Sequence, residues 1–268
     1  MSHRTLATAT AVAALLVTPA SAMGEETITM SGSTSVYPLA VKLATAYDNA
    51  FSSRASFKIL QGGTDIGIND VAKDRVTIGM ASRDPEEADP GGLVFNKIAR
   101  DGVCIITNKK NRIRTLSASQ VQRIFTGKVR SWSNIPGAKV KGAINLFTRT
   151  ASSGTADAFQ NIFLGSKKRI ASNTPAKSSN GLMRQTVSSN KNAIGFVSLD
   201  FIKGVNTVGY AGVSCTLRNA KSGQYKGVRN FWMVTRGAAQ GAANQFLDWV
   251  QKSAKAKSVV STRWISLR

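Results

Sequence analysis

A seven-residue stretch, Arg149 to Thr155, carries the residue types that an oxyanion site needs. It reads Arg-Thr-Ala-Ser-Ser-Gly-Thr, so a permanently charged, fork-shaped donor is followed by hydroxyls and a glycine. A helix is predicted over residues 156–164, and the first N–H groups of a helix have no partner within it. These donors indicate half of a phosphate cradle. The same pattern also fits a plain helix cap made by Ser152 or Ser153, with Arg149 as a solvated charge at a strand end.

Three earlier turns carry similar residues. The first contains Thr34 and Ser35, the second contains Thr64, and the third contains Ser82 and Arg83. Each follows a predicted strand, over residues 27–30, 56–60 and 77–80. The carboxyl ends of parallel strands lie at one edge of a sheet, where ligands bind, so we expect the turns to lie together. Ordinary helix capping by a serine or threonine is the alternative for the first turn.

Strands and helices alternate along the chain, which predicts an α/β protein. Further strands are predicted over 102–108, 144–148 and 192–199, and helices over 39–51, 120–125 and 241–253. We expect the chain to cross between two lobes at strand 102–108 and again between about 201 and 212. The predicted first lobe comprises residues 23–104 and 211–268, and the second residues 105–210. Each lobe is expected to be a mixed, mostly parallel sheet flanked by helices.

The first 22 residues have the composition of a secretory signal peptide. An apolar run over residues 11–17 is followed by Ala20-Ser21-Ala22, a small-residue cleavage pattern, which predicts a mature start near Met23. The run is too short for a membrane-spanning helix, and nothing later approaches the roughly 20 apolar residues that one requires. We therefore expect a periplasmic or secreted protein.

Cysteine and histidine usage limits the chemistry. An exported chain permits a disulfide between Cys104 and Cys215, but two buried thiols fit the sequence equally well. The only histidine is His3, inside the segment expected to be removed. The mature chain then has no residue for a Ser-His-Asp or Cys-His pair and no His metal site, and two cysteines cannot form a closed zinc site. We expect no enzyme, no metal and no cofactor; a hydrolase with Ser153 as nucleophile is a disfavoured alternative.

The net charge of +22 is concentrated in the middle of the chain, where residues 101–210 contain 17 Lys or Arg against 3 Asp or Glu. Such an excess predicts a surface that attracts anions, and it fits equally a solvated basic face. Aromatic residues in this segment, such as Phe125, Trp132 and Phe147, have the spacing of core residues, so nucleic acid is not an expected partner. An adhesion role of the basic lobe remains an alternative.

Seven motifs, taken in order, make the chain resemble the phosphate-binding proteins of bacterial ABC phosphate importers in their shorter form. They are G-S-T-S-V-Y-P-L at 32–39, G-G-T-D-I-G-I at 62–68, I-G-M-A-S-R at 78–83, D-G-V-C-I-I-T-N at 101–108, I-F-T-G-K-V-R-S-W at 124–132, R-T-A-S-S-G-T at 149–155 and A-I-G-F-V-S-L at 193–199. The resemblance covers nearly the whole mature chain. It implies a two-lobed type II periplasmic binding-protein fold, a monomer that serves a membrane ABC permease, and inorganic phosphate held in the cleft by hydrogen bonds.

The resemblance also implies which residues bind phosphate. The matching positions are Thr34, Ser35, Thr64, Ser82, Arg149, Ser153, Gly154 and Thr155. Thr64 replaces the serine that is usual in the family, and Asp65 stands where a glycine is common.

One further position bears on selectivity. Longer members have an aspartate where this chain has Arg83, and that aspartate accepts the proton that distinguishes phosphate from sulfate. We count Arg83 as a ligand that makes the site more cationic. Asp101 or Asp84 is a substitute acceptor, or else has a structural role at a hinge or turn. Another oxyanion, such as sulfate, molybdate or a phosphate ester, is the alternative ligand.

Overall fold

A computed structural model describes residues 26–51 and 55–267, so the predicted signal peptide lies outside the described residues. The strands are β1 (Glu26–Gly32), β2 (Ala55–Ile59), β3 (Ile78–Ala81), β4 (Leu93–Thr107), β5 (Thr115–Leu116), β6 (Asn145–Leu146), β7 (Thr148–Arg149), β8 (Ala176–Lys177), β9 (Ala193–Ser198), β10 (Asn206–Tyr210) and β11 (Val228–Arg236). The α-helices are α1 (Tyr37–Phe51), α2 (Thr64–Ala72), α3 (Ala118–Phe125), α4 (Gly154–Phe159), α5 (Asn180–Ser189), α6 (Leu217–Lys221), α7 (Gly241–Lys252) and α8 (Ala254–Ser261). Across the described ranges, we find no helix with the length and apolar character needed to traverse a bilayer.

Nine of these strands form one mixed sheet. Its main path runs β2-β1-β3-β11-β4-β10-β5, and β9 pairs with both β4 and β6. Strand β1 is parallel to its neighbours β2 and β3, strand β5 is parallel to β10, and strand β6 is parallel to β9. Strands β11 and β9 run antiparallel to β4. The separate pair β7-β8 is parallel as well. The predicted mixed, mostly parallel α/β architecture is confirmed.

Apolar side chains collect into two main cores. The N-terminal core includes Ile28, Leu39 and Phe246, while the middle core includes Phe125 and Phe196. Strand β4 serves both, because its first half packs in the N-terminal core and its second half in the middle core. Two cores joined by a shared strand are the structural basis of two lobes. The lobe boundaries at residues 104 and 210 stay predictions.

A disulfide fastens β4 to the segment that returns from the middle core. Cys104 and Cys215 are bonded with their Cα atoms 5.7 Å apart, inside the usual range for a bridge, and both residues are buried. Of the two possibilities that the sequence left open, the structure has the disulfide. Because Cys215 packs with the middle core, the chain remains with that core for some residues beyond 210.

Several predicted elements differ from the observed ones at their ends. Strand β4 begins at Leu93 rather than residue 102, since pairing with β11 extends it through a charged stretch. The predicted strand 144–148 is two short strands, of which β6 pairs with β9 and β7 with β8. The predicted helix 156–164 is α-helical only to Phe159 and continues as a wider π-helical turn over Gln160–Leu164.

Candidate functional site

Three turns of the N-terminal half meet at one edge of the sheet. Ser33, Thr34 and Ser35 join β1 to α1, Thr64 begins α2, and Ser82 follows β3. All five side chains are buried. The Ser33 hydroxyl donates to Ser82 Oγ at 2.8 Å, and Thr64 Oγ1 accepts the Ser82 N–H at 3.1 Å. The turns converge because β1 runs parallel to β3, so both strands end on the same side.

The Arg149 turn faces these three turns from the middle half. Arg149 ends β7, and Thr155 lies in the first turn of α4. Arg149 Nη2 donates to Thr34 Oγ1 at 3.2 Å, and the hydroxyls of Ser35 and Thr155 are 3.0 Å apart. The structure thus brings the hydroxyls of the two halves into direct contact.

Two glycines allow the backbones to come this close. A Cβ on Gly154 would lie 2.4 Å from Thr64 Oγ1 and 3.1 Å from the Arg83 backbone nitrogen. A Cβ on Gly63, which has φ of +123°, would lie 2.7 Å from the Ser152 carbonyl oxygen. Any larger residue at either position would hold the turns apart.

Ser153 makes the helix cap that was the alternative interpretation of this stretch, because its hydroxyl accepts the Ala156 N–H. Arg149, however, is not a solvated strand-end charge, since only 4% of its surface is exposed. Its Nε and Nη2 donate to the carbonyls of Lys177 at 2.9 Å and Ser178 at 3.0 Å. Capping and a buried cation therefore occur together.

The Arg149 guanidinium has no carboxylate partner among the described residues, and its Nη1 has no hydrogen-bond acceptor there. Burial, followed by repulsion from the nearby Arg229, lowers the pKa of Arg149 to about 9. A buried cation with an unused donor is costly unless an anion joins it.

A second buried arginine, Arg229 on β11, reaches the same hydroxyls. Its Nη1 donates to Thr155 Oγ1 at 2.8 Å and lies 3.3 Å from Ser82 Oγ, while its Nη2 forms an ion pair with Asp101 at 2.9 Å. Burial raises the pKa of Asp101 against the attraction of Arg229, and burial lowers the pKa of Arg229 against the attraction of Asp101. Asp101 is therefore the counterion of Arg229, and its role as proton acceptor for a ligand stays a prediction.

Asn180, the first residue of α5, crosslinks the hydroxyls. Its Nδ2 donates to Thr34 Oγ1 at 3.0 Å and to Ser35 Oγ at 2.8 Å, and its Oδ1 accepts the Ser198 N–H at 3.0 Å. Neither Asn180 nor Arg229 was expected from the sequence. Arg229 had a usable signal, since it alternates with Phe231 and Met233 on the buried side of β11. Asn180 had none beyond its place after the capping Ser179.

The structure does not bring the side chains of Arg83 and Asp84 into this set. Arg83 Nη2 contacts Asp89 at 2.6 Å and Asp65 at 3.1 Å. Burial opposes a charged Arg83, but the Asp89 hydrogen bond and the surrounding carboxylates raise its pKa above the ordinary value. The Asp84 carboxylate accepts from Asn230 at 2.7 Å. The predicted ligand roles of Arg83 and Asp84 stay predictions.

Asp157, from α4, completes the carboxylate cluster around Arg83. Its Oδ2 lies 3.7 Å from Arg83 Nε. Burial, together with the negative charges of Asp65 and Glu86, raises the pKa of Asp157 to about 7. Asp157 from the middle half and Arg83 from the N-terminal half thus meet beside the hydroxyls.

The combined site has the chemistry of an anion receptor. Two guanidiniums, an amide and the buried hydroxyls all supply hydrogen-bond donors, and each hydroxyl can also accept. The part of the chain described by the structure contains no group of three or more His, Cys, Asp or Glu residues placed to hold a metal ion. The arrangement suits a small tetrahedral oxyanion.

Comparisons with known proteins agree with this geometry. A family model described as a PBP superfamily domain matches residues 17–254. A structure from Clostridium perfringens, assigned as a phosphate ABC transporter substrate-binding protein and solved with bound phosphate, is 30% identical with a TM-score of 0.84, over 91% of this chain and 100% of that one. An ABC-type phosphate transport receptor from Vibrio cholerae is 26% identical with a TM-score of 0.71, over 90% of this chain and 100% of that one. The phosphate-binding protein PstS of Bacillus subtilis is 27% identical over 250 residues, which are 90% of this chain and 82% of that protein.

Proposed function

Because this chain belongs to the PBP superfamily, we propose that it captures inorganic phosphate between two lobes and delivers it to an ABC-type importer. The observation that carries this proposal is Arg149, a buried guanidinium with an unpartnered Nη1 beside hydroxyls contributed by both halves. Names of similar proteins from Clostridium perfringens, Vibrio cholerae and Bacillus subtilis support phosphate as the ligand and ABC transport as the process.

The site has a net positive charge, which favours an anion. Arg149 and Arg229 bring two positive charges, of which Asp101 balances one through its ion pair with Arg229. An entering anion removes the unfavourable burial of the remaining charge. Hydrogen bonds that involve a charged group contribute about 1.5–3 kcal/mol each, so a few of them hold a buried anion firmly.

We propose that the ligands are those implied by the family resemblance together with the two residues that the structure adds. The first set is Thr34, Ser35, Thr64, Ser82, Arg149, Ser153, Gly154 and Thr155, and the additions are Arg229 and Asn180. Hydroxyl groups suit phosphate because each can donate to an anionic oxygen or accept the remaining proton of monoprotonated phosphate. A hydroxyl can also turn to donate to sulfate, so the hydroxyls alone do not distinguish the two ions.

Binding is proposed to occur by closure of the lobes, with no covalent bond made or broken. The contacts of Ser35 with Thr155 and of Thr34 with Arg149 join the two halves, and they support the proposed closed form. We propose further that the protein acts as a monomer in the periplasm or outside the cell, after removal of residues 1–22, and docks on a membrane ABC permease.

Calorimetric titration with phosphate tests the proposal. We expect Arg149→Ala to weaken binding by about 30-fold or more, because loss of a buried charge-assisted contact costs about 2–5 kcal/mol. Arg114→Ala, at an exposed arginine of the same half, is the matched control and should bind phosphate like the original protein.

Two results would count against the proposal. One is near-original phosphate affinity in Arg149→Ala. The other is displacement of phosphate by equimolar sulfate, which would make the protein a general oxyanion carrier.

A further inference from the structure

The exposed cations of residues 101–210 have no acidic partners among residues 26–51 and 55–267. This segment has 17 Lys or Arg and 3 Asp or Glu, and each of the three acids is already engaged. Asp101 pairs with Arg229, Asp157 lies beside Arg83, and Asp200 pairs with Arg263. Among the salt bridges of the described residues, none uses a Lys or Arg of this segment. The positive charge is therefore free to attract an external anion.

Part of this charge lines a groove that contains no residue of the Arg149 turn. A surface cavity of about 430 Å³ lies between the end of α3 and the chain that follows Leu164. We define the basic groove by the five cations of its lining, Arg123, Lys128, Lys167, Lys168 and Arg169, all exposed to solvent. The remaining lining residues are uncharged, so nothing in the lining offsets the five positive charges.

The lining argues against two classes of polyanion. Single-stranded nucleic acid is held by exposed aromatic rings, but Phe125 and Phe163, the nearby rings, are fully buried. A membrane surface is flat and is usually contacted with some exposed apolar residues. The one large exposed apolar residue of the segment, Leu182, borders a different cavity.

We propose that the basic groove binds a linear phosphate polymer, inorganic polyphosphate. Three consecutive cations, Lys167 to Arg169, place a charge at intervals of at most about 3.6 Å along the chain. A polymer with one negative charge on every phosphate unit matches that density without any need for stacked bases. The basic groove is concave and has cations on both of its walls, a shape that fits a linear polymer. Arg169 is held in place, since its Nη1 donates to the Lys168 carbonyl at 3.1 Å.

The proposal is tested on the full mature protein with fluorescently labelled polyphosphate at physiological salt. The groove variant combines Lys167→Gln, Lys168→Gln and Arg169→Gln. The matched control combines Lys109→Gln, Lys110→Gln and Arg112→Gln, which removes the same charge from exposed positions elsewhere in the segment.

We expect the groove variant to bind polyphosphate about 10-fold or more weakly and the control to change by less than about 3-fold. The slope of log affinity against log salt should fall by about 2, because three fewer cations release fewer counterions at about 0.7 each for a flexible single chain. Titration of both variants with inorganic phosphate reports separately on the Arg149 site, so failure of one proposal is distinguishable from failure of the other.

Three outcomes would overturn the polyphosphate assignment. Equal losses in the two variants would show attraction by net charge alone. Tighter binding to single-stranded DNA than to polyphosphate would assign the groove to nucleic acid. Stronger groove-dependent adsorption to phosphatidylglycerol vesicles would assign it to a membrane surface.

Discussion

Replacing Gly154 with alanine adds one methyl group at the tightest contact between the two halves of the site. The new Cβ would lie 2.4 Å from Thr64 Oγ1, nearly 1 Å inside ordinary contact. Thr64 has little freedom to yield, because it is fully buried and its hydroxyl accepts from the Ser82 N–H. Relief must then come from separation of the turns that bring the proposed phosphate ligands together.

Forced overpacking of this kind costs about 1–3 kcal/mol, which corresponds to a loss of phosphate affinity of about 5- to 150-fold. The loss should appear in calorimetric titration with phosphate. Stability without phosphate should not fall to the same extent, since alanine favours a helix over glycine by up to about 1 kcal/mol and the halves can relax apart.

Gly181→Ala is the matched control. Gly181 lies in the first turn of α5, and its added Cβ would have nothing closer than Ser179 Oγ at 3.7 Å. This variant should bind phosphate like the original protein. If Gly154→Ala also binds phosphate with unchanged affinity, the close approach of the two turns is not part of the bound state, and the proposed closure is wrong.

Three further perturbations address charge and crosslinking. Arg229→Ala should lower the free energy of unfolding by about 3–5 kcal/mol, because Asp101 is left buried and unpaired; adding Asp101→Asn should recover part of the loss in a denaturant titration, and simple additivity would refute the pairing. The carboxyl of Asp157 has a folded pKa of about 7, above its ordinary value, so the folded state holds this proton more tightly and loses stability as pH rises through that range. Relative to the original protein, the thermal midpoint of Asp157→Asn should therefore rise between about pH 4 and 7, and a pH-independent difference would contradict the assignment. Cys104→Ala with Cys215→Ala should reduce stability by up to about 4–5 kcal/mol, since the bridge closes a loop of 111 residues; an unchanged denaturation midpoint would show that the bridge adds nothing.

Local sequence patterns were sufficient to predict that the turns carrying the hydroxyls lie together. The positions of Thr34, Ser35, Thr64 and Ser82 follow from strand-turn-helix units whose strands run parallel, so adjacency follows from topology. The approach of Thr155 from the other half was expected only through the family resemblance. No local pattern states which two turns face each other across a cleft.

Long-range pairing explains what the sequence did not show. Arg229 is separated from its partner Asp101 by 128 positions, and in β11 it stands among residues that read as an ordinary strand. Arg83 illustrates the reverse case: its turn resembles an anion site, yet Asp65 and Asp89 supply carboxylates that take its guanidinium. The ion-pair partners of such side chains depend on which charged residues the fold brings close together.

The length of β4 shows that local sequence also fails to predict secondary structure that depends on long-range pairing. Residues 93–101 include Lys97, Arg100 and Asp101, which break the apolar run that indicated a strand from residue 102. The backbone is extended there because β11 pairs with it along its length. Pairing with a distant partner overrode local composition.

The disulfide has a consequence for the order in which the molecule is built. Its second cysteine follows the first by 111 residues, a delay of about 5–20 s at the usual pace of translation. During that interval the growing chain does not yet contain the disulfide partner of Cys104. Most of the middle core is synthesised before Cys215. The bond therefore closes only after most of the middle core has been synthesised, and any mixed disulfide that Cys104 forms earlier with another molecule must be exchanged before the native bridge can form.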